Sequence, residues 1–441
     1  MEWTKSKYFT VLVNVCRLVL SLMLVVSGFV KAVDPVGSMY KLREYVTAFS
    51  VELFSDDWLL FFGILQAVLE FLLGVFLLMG VYRRVVANVV PAVMFFFTVL
   101  TAVIYYGGDV KDCGCFGEAV TLTNGETFAK NIFFLLLSIP LLAGHRNFVF
   151  NISSKSRWMV TLFALFYIAA VEILSLSHLP VVDFGRYPVG ASLREMAQGT
   201  PGEYRIVYEY ERGGERWELP EGELPDSSWV CVGSRSMLVK EGTLPVLSNF
   251  SVVDWEEDSD FSEELLADTG YVCVVAVERV EEASVSRVDK INDMYDYCLE
   301  KGVPFYVTTA SENEDVELWR KRTGAEYPVF WTDEAVLREM IRSNPGVLLL
   351  KDGVIVGKWN VADLPAVEEF EASPTRMPDR LPSIVGAMRG WRFWMLLLVV
   401  PLLFIAAVDA LACRGARKSG AANDVSSAGE VSSVESGCNE K

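Results

Sequence analysis

Apolar residues gather in six long blocks: Tyr8–Val30, Trp58–Gly80, Val85–Tyr106, Phe128–Gly144, Trp158–Leu176 and Trp391–Ala412. Each approaches or reaches the roughly 20 residues that span a hydrocarbon core. The fourth is the shortest and carries Pro140. Four such blocks in the first 150 residues exceed any soluble core, so the pattern predicts a polytopic α-helical membrane protein. The first block is too long for a cleavable signal, contains Arg17 and lacks a small-x-small site after it. It reads as a retained helix.

Between His178 and Arg389 the pattern changes to that of an extramembrane α/β segment. Glu203–Leu219 reads as a hairpin, with Tyr204, Ile206, Tyr208 and Tyr210 alternating before Gly213-Gly214. Tyr271–Val277 is a continuous apolar run suited to a buried strand. A helical spacing through Val288, Ile291, Met294, Tyr295 and Leu299 follows, and Gly302 stops it. Pro304–Thr309 reads as a strand and Val316–Arg322 as a short helix. Pro345-Gly346, Val347–Leu350, a Lys351-Asp352-Gly353 turn and Val354–Trp359 complete a second hairpin. The domain plan is a four-helix membrane domain over 1–150, a fifth membrane helix over 151–177 and a β-rich region over 178–249. An α/β domain over 250–370, a linker over 371–390, a sixth membrane helix over 391–412 and a disordered tail over 413–441 follow.

Composition agrees with this division. Hydrophobic residues make up 52% of 441, charged residues only 22%, and the mean hydropathy is +0.32. The net charge of −18 is concentrated in one place, since His178–Arg389 holds 40 acidic and 21 basic side chains. Such a segment repels phosphate backbones and disfavours nucleic-acid binding. Lys5, Lys7, Arg83, Arg84, Arg146, Lys155, Arg157, Arg414, Arg417 and Lys418 fall in alternate connections. The basic side faces the cytoplasm, which puts both termini inside. The acidic segment and the loop after the third span then lie outside, in a bacterium on the periplasmic face of the inner membrane.

Two of the eight cysteines lie in that loop, in Cys113-Gly114-Cys115-Phe116-Gly117. A bond across one glycine closes a small strained ring, and strained disulfides exchange readily. The pair has three readings: an exchanging dithiol, structural or free cysteines, and a metal half-site. The chain has only His145 and His178 and offers no clear second ligand pair for a metal. Cys273 in a strand and Cys298 on a helix read as core residues. Arg17 and Glu70 lie at similar depth in adjacent spans, so they are expected to meet, either fixing helix packing or serving function. A transporter has only these two residues in its favour. Lys31 is expected to snorkel, and Gly28, Gly74 and Gly80 to permit close helix contact.

Cys16-Arg17-Leu18, Gly28-Phe29-Val30-Lys31, Glu70 with Gly74, Arg83 and Cys113-Gly114-Cys115-Phe116-Gly117 together resemble the MauE branch of the DoxX-like membrane proteins, over about residues 8–145. The resemblance implies a four-helix bundle and a role in maturing periplasmic proteins. In the type member the client is the disulfide-rich small subunit of methylamine dehydrogenase. Quinone-linked sulfur oxidation in the related DoxX proteins implies a quinone as electron acceptor by analogy, although no cofactor motif is evident. Residues 250–370 resemble the thioredoxin fold, in which a cis proline matching Pro345 faces the active dithiol. Glu278-Arg279-Val280-Glu281-Glu282 stand where a Cys-x-x-Cys belongs, so this domain reads as a docking module. The expected function is thiol–disulfide exchange or maturation of periplasmic proteins, enzymatic if Cys113 and Cys115 carry electrons. The alternative is a non-catalytic assembly factor or scaffold.

Overall fold

Ser6 opens the first helix by accepting a hydrogen bond from the Tyr8 amide at 3.3 Å. The computed structural model describes residues 6–50, 54–107, 117, 119, 122–150, 152–198, 203–212, 215–220, 229–240, 250–255, 259–286, 288–367 and 390–424. Two compact units result, Met1–Arg186 with Pro382–Lys441, and Tyr187–Leu381. The first is built from α1 (Lys7–Val33), α2 (Pro35–Ala48), α3 (Asp56–Met79), α4 (Arg83–Gly107), α5 (Asn124–Gly144), α6 (Arg157–Ser177) and α12 (Trp391–Asp424). Among the described residues six helices, all of these but α2, are long and apolar enough to cross a membrane. The protein is a polytopic helical membrane protein.

Side chains such as Phe95, Phe96, Leu136, Phe166 and Leu403 lie exposed on this unit. Lipid covers such a surface, because helices satisfy their own backbone groups and need no water. Close packing instead occurs where the side chain is smallest. A Cβ on Gly28 would lie 2.5 Å from the Phe71 amide nitrogen, and one on Gly74 2.6 Å from that of Val25. The antiparallel α1 and α3 therefore touch backbone to backbone. Two features depart from the sequence expectations. Residues 35–48 form α2, where Pro35 supplies a preset first turn and Asp34 accepts from the Gly37 amide at 2.8 Å. The last helix continues past Ala412 to Asp424, because extending an existing helix avoids the cost of nucleation.

The second unit contains two sheets. β1 (Glu203–Arg212), β2 (Glu215–Pro220) and β3 (Val230–Lys240) form an antiparallel sheet in the order β2-β1-β3. The β1–β2 hairpin was expected; β3 was not, since Val230–Lys240 mixes Gly, Ser and Arg with its apolar residues. The larger sheet contains β4 (Tyr271–Val277), β5 (Phe305–Thr309), β6 (Val329–Trp331), β7 (Gly346–Lys351) and β8 (Val354–Asn360), ordered β6-β5-β4-β7-β8. β4, β5 and β6 run parallel, while β7 and β8 are antiparallel additions. β4 is central and almost wholly buried, as its unbroken apolar run requires.

Helices α7 (Leu193–Gln198), α8 (Ser262–Ala267), α9 (Asp289–Lys301), α10 (Asn313–Thr323) and α11 (Glu334–Met340) complete the unit. Gly302 ends α9 with φ +67°. β6 and α11 were missed because three and seven residues are too short to show a period.

Candidate functional site

The connection between α4 and α5 carries the Cys-Gly-Cys motif, and Cys113, Gly114, Cys115 and Phe116 lie outside the described residues. Gly117 is described. It has φ +54°, and a Cβ there would lie 3.4 Å from Val30 Cγ1. The last residue of the motif thus rests on α1 beside the residue preceding Lys31. Thr123 and Glu126 then start α5 with a capping box.

Lys31, the next residue of α1 after Val30, belongs to a buried ionic cluster. Lys31 Nζ lies 2.6 Å from Glu70 Oε2 and donates also to Ser27 Oγ at 3.0 Å. Ser27 Oγ donates to the same carboxylate oxygen at 2.8 Å, and Gln66 Nε2 donates to Oε1 at 2.9 Å. Both oxygens of Glu70 therefore accept hydrogen bonds, and Lys31 is only 8% exposed. An ion pair away from water persists only with this degree of satisfaction.

Two expectations are corrected here. Arg17 does not meet Glu70: its Nε and Nη2 each donate at 2.7 Å, to the carbonyls of Leu77 and Leu78, and its guanidinium lies 4.5 Å over the Phe148 ring. Those carbonyls belong to the last turn of α3, where no intrahelical donors remain and the helix dipole favours a cation. Lys31 does not snorkel toward the interface; it reaches back to Ser27, four residues earlier. Helical side chains slant toward their own N-terminus. That slant carries Lys31 inward. Arg17 misses Glu70 because of register. Gly28 lies on Phe71 and Gly74 on Val25, which sets Glu70 level with Phe29. Arg17 is left at the C-terminal end of α3, about 18 Å away along the helix axis.

A cavity of ≈ 230 Å³ adjoins the cluster. Lys31, Lys41, Lys130 and Glu70 line its charged side, while Met94, Phe97 and Leu100 belong to its apolar wall. Two further buried carboxyls escaped the sequence reading. Asp409 accepts from the Ser153 amide and hydroxyl. Glu172 is 5% exposed and its Oε1 has no hydrogen-bond partner among the described residues. Both lie within apolar blocks, and the criterion that selected Arg17 and Glu70 would have found them.

In the second unit the peptide bond Asn344–Pro345 is cis. Asn344 Nδ2 donates to the Arg279 carbonyl at 3.0 Å, and the Asn344 carbonyl accepts from the Ser284 amide at 3.3 Å. The loop after β4 and the Pro345 turn are thus joined, but the loop presents charges. Arg338 Nε lies 2.6 Å from Glu278 Oε1, and Arg279 Nε 3.6 Å from Glu281 Oε1.

Cys273 and Cys298 are buried free thiols in the main core. Their mutual hydrogen bond, then burial, push the Cys273 thiol well above its ordinary value. Such a thiol is a poor nucleophile. Among the described residues, no three His, Cys, Asp or Glu side chains stand together as a metal site.

Spanning helices, packed glycines and a buried, hydrogen-bonded Lys31–Glu70 pair define a polytopic helical membrane protein. Residues 9–144, from α1 to the last residue of α5, match the family model described as "Methylamine utilisation protein MauE". The match covers less than half of the whole chain. No curated protein matches the chain.

Proposed function

We propose that the protein supports maturation of proteins outside the membrane by thiol–disulfide exchange at Cys113 and Cys115. The observation that carries this reading is the place of Cys113-Gly114-Cys115-Phe116-Gly117. It falls inside the MauE-matched region, between α4 and α5, and its final glycine rests on α1. The family description makes methylamine utilisation one setting for such a role. The α/β unit beyond the match argues for a wider choice of clients.

In the oxidising direction, a client thiolate attacks the Cys113–Cys115 disulfide, breaking that bond and forming a mixed disulfide. A second client thiolate displaces it, leaving an oxidised client and two thiols on the loop; reduction of a client is the reverse. Renewed turnover needs an acceptor for two electrons and two protons. A quinone dissolved in the membrane fits that need, and would leave as the quinol.

The distribution of Lys and Arg supports an inner-membrane topology with both termini in the cytoplasm and the Cys-Gly-Cys loop and α/β unit in the periplasm. The order β5-β4-β7-β8 and the cis Pro345 beside the loop after β4 support a thioredoxin-like reading of the α/β unit. Ion-paired Glu278 and Arg338 where a dithiol would stand favour docking of an extended client chain over chemistry. That same observation supports the second reading, a non-catalytic assembly scaffold.

The test is a Cys115→Ser variant, acid-quenched and run on a non-reducing gel beside a complementation assay. A mixed disulfide with a periplasmic protein, together with loss of complementation at normal abundance, is expected. Full complementation by both Cys113→Ser and Cys115→Ser without an adduct would leave the scaffold reading.

A further inference from the structure

We propose that the cavity beside Lys31 and Glu70 binds a neutral single-chain amphiphile whose head carries hydroxyl groups, the chemistry of a monoacylglycerol. This inference is independent of the thiol exchange above, and its failure leaves that reading untouched. The ionic groups on the wall are already engaged. Lys31 lies 2.6 Å from Glu70 and Lys41 3.0 Å from Glu44, and Lys130 has a partner of its own. No ammonium therefore stands free to call for an anionic head. Glu70, which accepts from Lys31, Ser27 and Gln66, has little left for a cationic one. A charged head would leave water without a counter-charge, at a cost that a neutral head avoids.

What the wall leaves open is hydrogen-bonding capacity, of both kinds. Asn131 of α5 lines the cavity and is only 6% exposed. Its Nδ2 donates to the Phe97 carbonyl at 3.4 Å and to Thr101 Oγ1 at 3.2 Å, which uses both amide hydrogens. Its Oδ1 accepts nothing among the described residues. Gln66 Nε2 gives one N–H to Glu70 and has a second, while Lys31 Nζ gives two of its three to Ser27 and Glu70. An occupant that completes these groups donates to Asn131 and accepts from Gln66 or Lys31. A hydroxyl does both, and a glycerol head with two hydroxyls serves both sets. A carboxylate, an ester or a quinone only accepts, and would leave Asn131 Oδ1 buried without a donor.

The rest of the lining suits an acyl chain. Met94, Phe97 and Leu100 of α4 form an apolar side. Phe96 also lines the cavity and is 61% exposed on the lipid-covered surface of α4, so a chain has a path in from hydrocarbon. A mostly apolar pocket with a few placed polar groups is the usual form of a small-molecule site.

The experiment uses the full chain transferred from detergent into amphipol, so that no sugar-headed detergent competes. Thermal shift and native mass spectrometry are the readouts, and the probes are monoolein, methyl oleate, sodium oleate, decyl-benzoquinone and glycerol. One monoolein per chain is expected, bound about tenfold or more tightly than methyl oleate, which has the chain without a hydrogen-bond donor. Asn131→Leu should bring monoolein to the affinity of methyl oleate, whose own binding should not change. Unchanged monoolein binding by that variant would overturn the assignment. The comparison of probes on the unaltered chain stands even if the variant fails to fold. Equal or tighter binding of methyl oleate, oleate or the quinone would overturn the proposal. So would a full thermal shift with glycerol alone, or binding of none of the probes.

Discussion

The membrane unit and the α/β unit each bury a pair of ionisable side chains, and they treat them in opposite ways. Lys31 and Glu70 are held 2.6 Å apart as a charged pair whose carboxylate accepts three hydrogen bonds. Cys273 hydrogen-bonds to Cys298 among Val275, Ile291, Met294 and Val307, where ionisation of Cys273 is opposed. The first pair carries charge into a low-dielectric bundle, beside the loop end that follows the cysteine motif. The second fills a core, as small buried thiols commonly do. Reactive residue types alone therefore do not locate chemistry. Their satisfaction and surroundings have to be read with them.

The largest expected effect breaks the charged pair. Glu70→Ala leaves the Lys31 ammonium buried without its carboxylate, which costs about 3–5 kcal/mol. Thermal unfolding in detergent should show the loss, and Lys31→Met with Glu70→Met should recover most of it. Arg17→Ala combined with Glu70→Ala should be additive within about 0.5 kcal/mol, because the two share no contact. A large coupling between Arg17 and Glu70 would restore the pairing that the sequence suggested.

Legibility followed the length of the signal. Six apolar blocks predicted six spanning helices, and the unbroken run at Tyr271–Val277 predicted the central strand. Gly302 ended α9 where expected, and the Pro345-led hairpin is β7–β8. Short or mixed elements were silent: β6 with three residues, β3 with its Gly, Ser and Arg, and α2 between two longer helices. In the site, Arg17, Lys31 and Glu70 are all buried, but Arg17 and Glu70, expected to meet, do not, and Lys31 pairs with Glu70 instead. Counting from the ends of the apolar blocks takes α1 and α3 to end level. The contacts of Gly28 with Phe71 and of Gly74 with Val25 shift the register, so that Glu70 faces the C-terminal half of α1 and Arg17 the end of α3. Glu172 and Asp409 were simply passed over, although each interrupts an apolar block.

A smaller effect compares two glycines required for different reasons. In the membrane unit, a Cβ on Gly74 would press on the Val25 amide nitrogen at 2.6 Å, so Gly74→Val should cost about 1–3 kcal/mol through forced separation of α1 and α3. In the α/β unit, Gly302 has open space around it but a φ of +67°. Gly302→Ala should therefore cost only about 1–2 kcal/mol, from backbone conformation alone. Gly302→Asn should recover part of that loss, since Asn tolerates this region. The corresponding Gly74→Asn should recover nothing. Rescue at both positions would mean that conformation, not contact, governs the α1–α3 interface.

The smallest effect concerns the thiols and has a defined sign. The folded-state pKa of Cys273 lies well above its ordinary value near 9.0, because of the hydrogen bond with Cys298 and then burial. The folded chain thus holds this proton more tightly than the unfolded chain. The stabilisation is fully present below the ordinary thiol pKa and is lost as pH rises from there through the folded value. The loss cannot exceed about 1.4 kcal/mol per pH unit for one group. Melting followed by tryptophan fluorescence should show the α/β unit weakening above about pH 8.5. Cys273→Val, which keeps an apolar side chain of similar size, should flatten that slope while leaving the behaviour of Lys31 and Glu70 unchanged. An unaltered slope in Cys273→Val would show that the thiol titrates without unfolding. In that event the contrast between a satisfied charge in the bundle and the neutral Cys273 thiol in the core would fail at its second half.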